Sequence, residues 1–272
     1  MTNSSSKIFF AELEYAMREH RFLKNNPVAE ALENGKANAD QIKFAIEQYS
    51  MLPAWIVRLL AASRGRLHGW SDVQTELSNN IGEEAGSKTG GLSHVEILIR
   101  GLAEELKLDV RGVEYSQATQ TFLDEMLQAI KTQSPAFAVG IAYALEDSAT
   151  PELLVLSRVL NGYASLTKQS LPISAITLAG QSQPAEVTTM EEAKKLSLDD
   201  FLSLHVQEFE PGHRNRLAQA LTERLTDEVK QELKNGFDFT LDLMDAWWDA
   251  MVRDGKIDSH PVFDRAALGG VA

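Results

Sequence analysis

From Lys7 onward, apolar residues recur at helical spacing, beginning with Phe9, Phe10, Leu13, Met17 and Phe22. No segment alternates with period two, and no repeat of fixed length is present. Pro27 opens a short helix, PVAEALENG, that Gly35 ends. Asn38 or Asp40 caps a longer one carrying IKFAIEQYSMLPAWIVRLLAAS. It is apolar on most sides and therefore central, with a bend expected at Pro53. Helices follow over Ser71 to about Ala85, through HVEILIRGLAEELKL, over Ser116 to Gln133, over Pro135 to Ala149, and from Pro151 through ELLVLSRVLNGYASL. Ser93 and Glu96 form a capping-box pattern that places His94 in a first helical turn. Residues 170 to 189, poor in charge and holding two prolines and a glycine, are the longest expected loop, either a lid or a connection. MEEAKKL, LDDFLSLHVQEFEPGHRNRLAQALTERL and GFDFTLDLMDAWWDAMVRDG are helical again. The pattern predicts an all-α bundle of about eight to ten helices. It predicts one domain over residues 7–255, with extensions at 1–6 and 256–272.

Composition narrows the chemistry. With 44% hydrophobic and 24% charged residues, the chain can bury a real core. A net charge of -13 argues against nucleic acid or anionic lipid as partner. The absence of cysteine excludes disulfides, thiolate nucleophiles, iron–sulfur clusters and cysteine-bound zinc. MTNSSSKIFF is too short and too weakly apolar for a signal peptide, and no apolar run reaches membrane-spanning length, so a cytoplasmic protein is expected. Neither of the common glycine-rich phosphate loops is present.

The densest chemistry lies in HVQEFEPGH, residues 205–213, which holds two of the six histidines. In a straight α-helix, positions i, i+4 and i+7 share a face. Here Phe209 and Gly212 occupy those positions, and His213 comes one residue too late. A single π-bulge would absorb the extra residue, and Pro211, which lacks an N–H, favours one. His205, Glu210 and His213 would then converge, with Glu208 as the alternative carboxylate. The competing reading is an ordinary solvated helix face. Glu84 and His94 flank a glycine-rich link that lets the chain turn, so that both can face one point. Glu146 ends an apolar run, where a buried carboxylate is costly unless paired or metal-bound; otherwise it marks an exposed helix end with Asp147. Carboxylates with imidazoles suit iron or manganese better than structural zinc, and this many ligands matches two ions. Tyr49, Trp55, Phe137 and Tyr143 are candidates for a substrate pocket, against plain core filling. Trp247 and Trp248 are expected to anchor the last helix to the bundle or to a second subunit. Arg58 and Lys131 could bind a carboxylate.

The order Glu…His, then Glu, then His-carboxylate-His resembles the haem-oxygenase-like diiron oxidases. That all-α superfamily also holds the pyrroloquinoline-quinone-biosynthesis oxidase and the TenA thiaminases. More narrowly, the chain resembles the CADD-like group, related to the chlamydial death-domain-associating protein, with cyanobacterial members. The resemblance covers roughly residues 7–255, best in EQY at 47–49, NIGEEAGSKTGGLSHVEILIRGLAEELKL, IAYALE and FLSLHVQEFEPGHRNRLAQAL. It implies Glu84, His94, Glu146, His205, Glu210 and His213 as iron ligands, with Glu83 able to replace Glu84 because the link to His94 is longer than in some members. It implies two ferrous ions, with manganese as the alternative metal, and O2 as co-substrate. The reaction would oxidise or cleave a C–H, C–C or N–H bond of a small amino acid, amine or fatty acid. Related groups form dimers, so a homodimer is expected. The competing functions are a cofactor-free small-molecule enzyme of the pyrroloquinoline-quinone or TenA type, a haem-binding protein, and a protein-interaction module on the same fold. Without cysteine, the thiaminase nucleophile is missing.

Overall fold

In the computed structural model, residues 4–169, 187 and 189–257 are described, and those residues form helices and no strand. The first three helices are α1 (Ser4–Glu19), the single turn α2 (Arg21–Lys24) and α3 (Pro27–Glu33). α1 thus begins inside the segment expected to be a lead. Asn26 caps α3 by accepting from the N–H groups of Val28 and Ala29, with Pro27 at the position where a missing N–H costs nothing. Asn38, rather than Asp40, caps α4 (Ala39–Tyr49) through a reciprocal bond with Gln41.

Where one bent helix is expected around Pro53, the chain forms two: α4 and α5 (Met51–Arg66). The proline ring excludes the carbonyl four residues earlier, that of Tyr49, and this is where α4 ends. The Ser50 hydroxyl covers the Glu47 carbonyl at 2.7 Å. The chain continues through α6 (Ser71–Glu84), α7 (His94–Glu105) and α8 (Gln117–Thr132). The two helices expected to meet at Pro151 are a single helix, α9 (Pro135–Leu166), with the proline inside it. Burial explains the correction. α9 is covered along most of its length by α13, α12, α5 and α4. Packing therefore holds the turn that the proline weakens. After α10 (Met190–Ala193) and α11 (Leu198–Leu204), residues His205–Phe209 form a π-turn. α12 (Glu210–Leu221) and α13 (Asp227–Asp254) complete the bundle. Apart from Val187 and Thr189, the loop expected over 170–189 lies outside the described residues, as does the tail beyond Ile257.

α9 and α13 cross backbone to backbone. A Cβ on Gly140 would sit 2.1 Å from the Leu233 carbonyl oxygen, and one on Gly236 would sit 2.1 Å from that of Phe137. Only glycine permits this approach. Farther along α13, Trp247 stacks on Phe122 at 4.4 Å and donates to the Thr119 hydroxyl at 3.0 Å. Tyr49 packs against both Trp247 and Trp248. The tryptophan pair thus ties the last helix to α8 and α4. No helix among the described residues is long and apolar enough to cross a membrane.

Candidate metal centre

The π-turn places the HVQEFEPGH residues. The Glu210 N–H donates to the His205 carbonyl, five residues back, in place of the α-helical four. Pro211 follows at the head of α12 and offers no N–H to the turn. Wound this way, the chain buries His205, Glu210 and His213, while Glu208 faces solvent. The wider turn is what selects between the two glutamates.

α6 delivers Glu83 and Glu84 at its last turn, and the link that follows reverses through Gly86 at φ 103°. The Ser93 hydroxyl accepts from the Glu96 N–H, and the Glu96 carboxylate accepts from the Ser93 N–H. This capping box fixes His94 as the first, buried residue of α7. One turn before Glu84, on the same face of α6, Asn80 is buried and donates to Glu146 Oε1 of α9 at 2.8 Å.

Six side chains converge. His94 Nδ1 lies 3.2 Å from Glu84 Oε1 and 2.9 Å from His205 Nε2. His213 Nδ1 lies 3.1 Å from Glu146 Oε2 and 3.7 Å from Glu210 Oε2. Two triads have donor atoms all within 4.8 Å of one another: Glu84, His94 and His205 in one, Glu84, Glu210 and His213 in the other. Glu84 belongs to both. Glu146 and Glu210 line the same cavity as Glu84, His94 and His205.

Hydrogen bonds orient the rings. His205 Nδ1 donates to the Phe201 carbonyl at 2.7 Å, which leaves Nε2 as the lone-pair atom facing His94. Burial and the neighbouring His94 push His205 down to about 3, so its ring is neutral. His213 Nε2 donates to Glu83 Oε2 at 2.9 Å, turning Nδ1 toward Glu146 and Glu210. Glu83 is held in turn by Lys88 at 2.9 Å and Arg216 at 3.0 Å. Burial alone would lower His213, but the carboxylates of Glu146, Glu83 and Glu210 carry it up to about 11. Burial opposes the charge on Glu84, yet His94 foremost holds it at about 2. Glu210 is pushed well above the usual carboxylate range, first by burial and then by Glu84. In both triads, imidazole nitrogens and carboxylate oxygens crowd at distances a shared cation satisfies. His94 Nε2, on the far side of its ring, has no partner. Oxygen and imidazole donors fit iron or manganese.

Of the aromatic residues proposed for a pocket, Tyr49 lines this cavity. Trp55 instead donates to the Tyr115 hydroxyl at 2.7 Å and lies under the Arg58 guanidinium. Phe137 packs on Phe239, and Tyr143 sits between Phe10 and Phe237. Trp55 and Tyr143 fill other buried faces, and Phe137 a half-buried one. Sequence reasoning missed Asn80, whose spacing of four from Glu84 was the available signal, and Glu152, a buried acid of the cavity wall. Glu83 was considered only as a substitute ligand, whereas here it holds the outer nitrogen of His213.

The helical order and this inward cluster define an all-α, haem-oxygenase-like protein, and comparison with known proteins agrees. The chain belongs to the family described as a domain of unknown function with a solved structure, DUF3865, whose model matches residues 15–174. A CADD-like protein of unknown function from Nostoc punctiforme PCC 73102 is 25% identical, with a TM-score of 0.78 over 93% of this chain and 99% of that one. A domain of unknown function with a heme oxygenase-like fold from Shewanella denitrificans OS217 is 15% identical over 92% of this chain and 93% of that one, with a TM-score of 0.60. A TenA homolog from Pseudomonas syringae pv. tomato DC3000 is 14% identical over 93% and 94%, with a TM-score of 0.58. The haem-oxygenase-like fold and the likeness to the CADD-like group expected from the motifs are therefore found. No curated protein matches the chain.

Proposed function

We propose that the chain is a nonhaem diiron oxidase or oxygenase that uses O2 to oxidise or cleave a small metabolite. The observation that carries this reading is Glu84, shared between two triads of ligand atoms. Glu84, His94 and His205 would hold one ion; Glu84, Glu210 and His213, with Glu146 alongside, would hold the other. Bound as ferrous iron, the pair would supply the electrons that reduce O2.

The rest falls to the protein. The Phe201 carbonyl keeps the His205 proton on the outer nitrogen, and Glu83 does the same for His213. Asn80 fixes the Glu146 carboxylate. Leu52, Ile56, Leu98, Leu145 and Leu153 give the cavity an apolar wall. Its volume of about 70 Å³ suits the reacting end of a small molecule.

The test is anaerobic titration of metal-free protein with ferrous iron, then mixing with O2 while following absorbance. Uptake of two irons per chain with a transient visible band is the expected result. No iron uptake would refute the proposal and favour a cofactor-free enzyme on the same fold.

A further inference from the structure

One carboxyl of the cavity has no task in this scheme. Glu152 of α9 is 3% exposed and lines the same cavity as Glu84, Glu146 and Glu210. The Tyr49 hydroxyl and the Trp248 indole lie beside it. Its Oε1 nevertheless has no partner of ordinary geometry, nor has the indole N–H of Trp248. A buried carboxyl oxygen left unpaired is costly unless something entering the cavity supplies a donor. Among the described residues, no lysine or arginine lines this cavity.

We propose that Glu152, beside Tyr49 on the cavity wall, is the counter-charge for a primary alkylammonium group, so that the cavity takes a small amine rather than a carboxylic acid. The inference rests on the diiron reading for its claim that the bound amine is a substrate. An ammonium brings a positive charge and three N–H donors to the unpartnered oxygen. In the metal-free cavity a carboxylate would meet several buried acids and no lysine or arginine. The apolar wall beside Glu152, from Leu52, Ile56 and Leu153, suits the alkyl stem. Burial pushes the Glu152 carboxyl up to about 8, despite the neighbouring Trp248 and Tyr49 donors. An arriving ammonium supplies the charge that favours its ionised form.

The probes are n-butylamine, butyrate and butan-1-ol, titrated calorimetrically into the full chain, metal-free and again after anaerobic loading with ferrous iron. Butylamine should bind at least about tenfold more tightly than the other two. Glu152→Gln should lose at least about tenfold in butylamine affinity while leaving butanol affinity and iron stoichiometry unchanged. Butyrate binding to the metal-free chain as tightly as butylamine overturns the proposal, and that comparison needs no variant to fold. Unchanged butylamine binding by Glu152→Gln overturns it too, because other acids would then hold the cation. Fewer irons in Glu152→Gln would make Glu152 a ligand and also overturn it. Amine selectivity without iron uptake would keep the subsite and remove the diiron reading; iron uptake without amine selectivity would do the reverse.

Discussion

His205 and His213 look equivalent as ligands, but the structure makes their loss unequal in the metal-free protein. His213 sits among Glu83 at 2.9 Å, Glu146 at 3.1 Å and Glu210 at 3.7 Å. These acids raise its pKa from 6.5 to about 11. At about 1.4 kcal/mol per pH unit, the protonated ring is favoured by about 6 kcal/mol as an upper bound. The depressed pKa of Glu83 describes the same attraction and is not added to it. His213→Ala leaves buried acids facing one another, and their uptake of protons limits the damage, so the expected cost at pH 7 is about 3–5 kcal/mol. His205 is neutral and makes two hydrogen bonds, to Phe201 and His94, so His205→Ala should cost about 1–3 kcal/mol. The sign of the pH effect follows. A raised histidine pKa gives stabilisation that is complete below 6.5 and lost as pH climbs through about 11. Urea unfolding of metal-free protein, followed by helical circular dichroism from pH 6 to 10, measures both effects. Wild type should lose stability toward the alkaline end, and His213→Ala should lose less over the same range. Equal costs for the two variants, or a His213→Ala cost below about 1 kcal/mol, would refute the ion-pair account.

Five further variants test three other links. Deleting exposed Glu208 would convert the π-turn to an α-turn with Glu210 and His213 four and seven residues after His205, so iron stoichiometry should survive. Deleting exposed Thr75 would swing Glu84 by about 100° relative to Val73, so binding should be lost; the opposite pairing of results, by metal analysis, would sink the register argument. Gly236→Ala should cost about 2–3 kcal/mol, because its Cβ would meet the Phe137 carbonyl oxygen, and should lower Tm by roughly 5–10 °C. Gly65→Ala in α5, with nothing within 4 Å of the new Cβ, should stabilise by about 0.5–1 kcal/mol; equal shifts for the two glycines in thermal melts would count against the close crossing. Ser93→Ala removes the α7 cap and should cost about 1 kcal/mol in urea unfolding, with no effect marking the capping box as unimportant.

Legibility followed the range of the interaction. Caps at Asn38 and Ser93 were readable because partner and capping residue lie within three positions. Pro53 and Pro151 carry the same local signal, yet one coincides with a break and the other lies inside a helix. The difference is burial along α9, which local sequence does not report. The same error concealed Glu152. With a helix start assumed at Pro151, an acid at the next position looks like ordinary first-turn charge. In a continuous α9 it is a buried carboxyl on the cavity wall. The pocket aromatics show the same limit. Helical spacing shows that Tyr49, Trp55 and Tyr143 are on buried faces and Phe137 on a half-buried one, but not which face borders the cavity.

At the π-turn the chain departs from regular α-helical winding, and the departure coincides with the candidate ligands His205, Glu210 and His213. Had residues 205–213 stayed α-helical, Phe209 and Gly212 would share the face of His205. Glu210 would be rotated about 100° from that face, and His213 would follow it. The regular helix is the cheaper local structure, since π-turns are rare and loosen the backbone ladder. Its adoption would have replaced two donors with a phenyl ring and a hydrogen. Pro211 lowers the cost of the irregular choice, because its missing N–H already removes one bond the α-helix would keep. The packing of α12 on α6 and α9 then holds Glu210 and His213 against Glu84 and Glu146. A local rule is broken where a binding geometry is gained, which is the pattern expected of a functional site rather than of a helix that merely solvates its polar face.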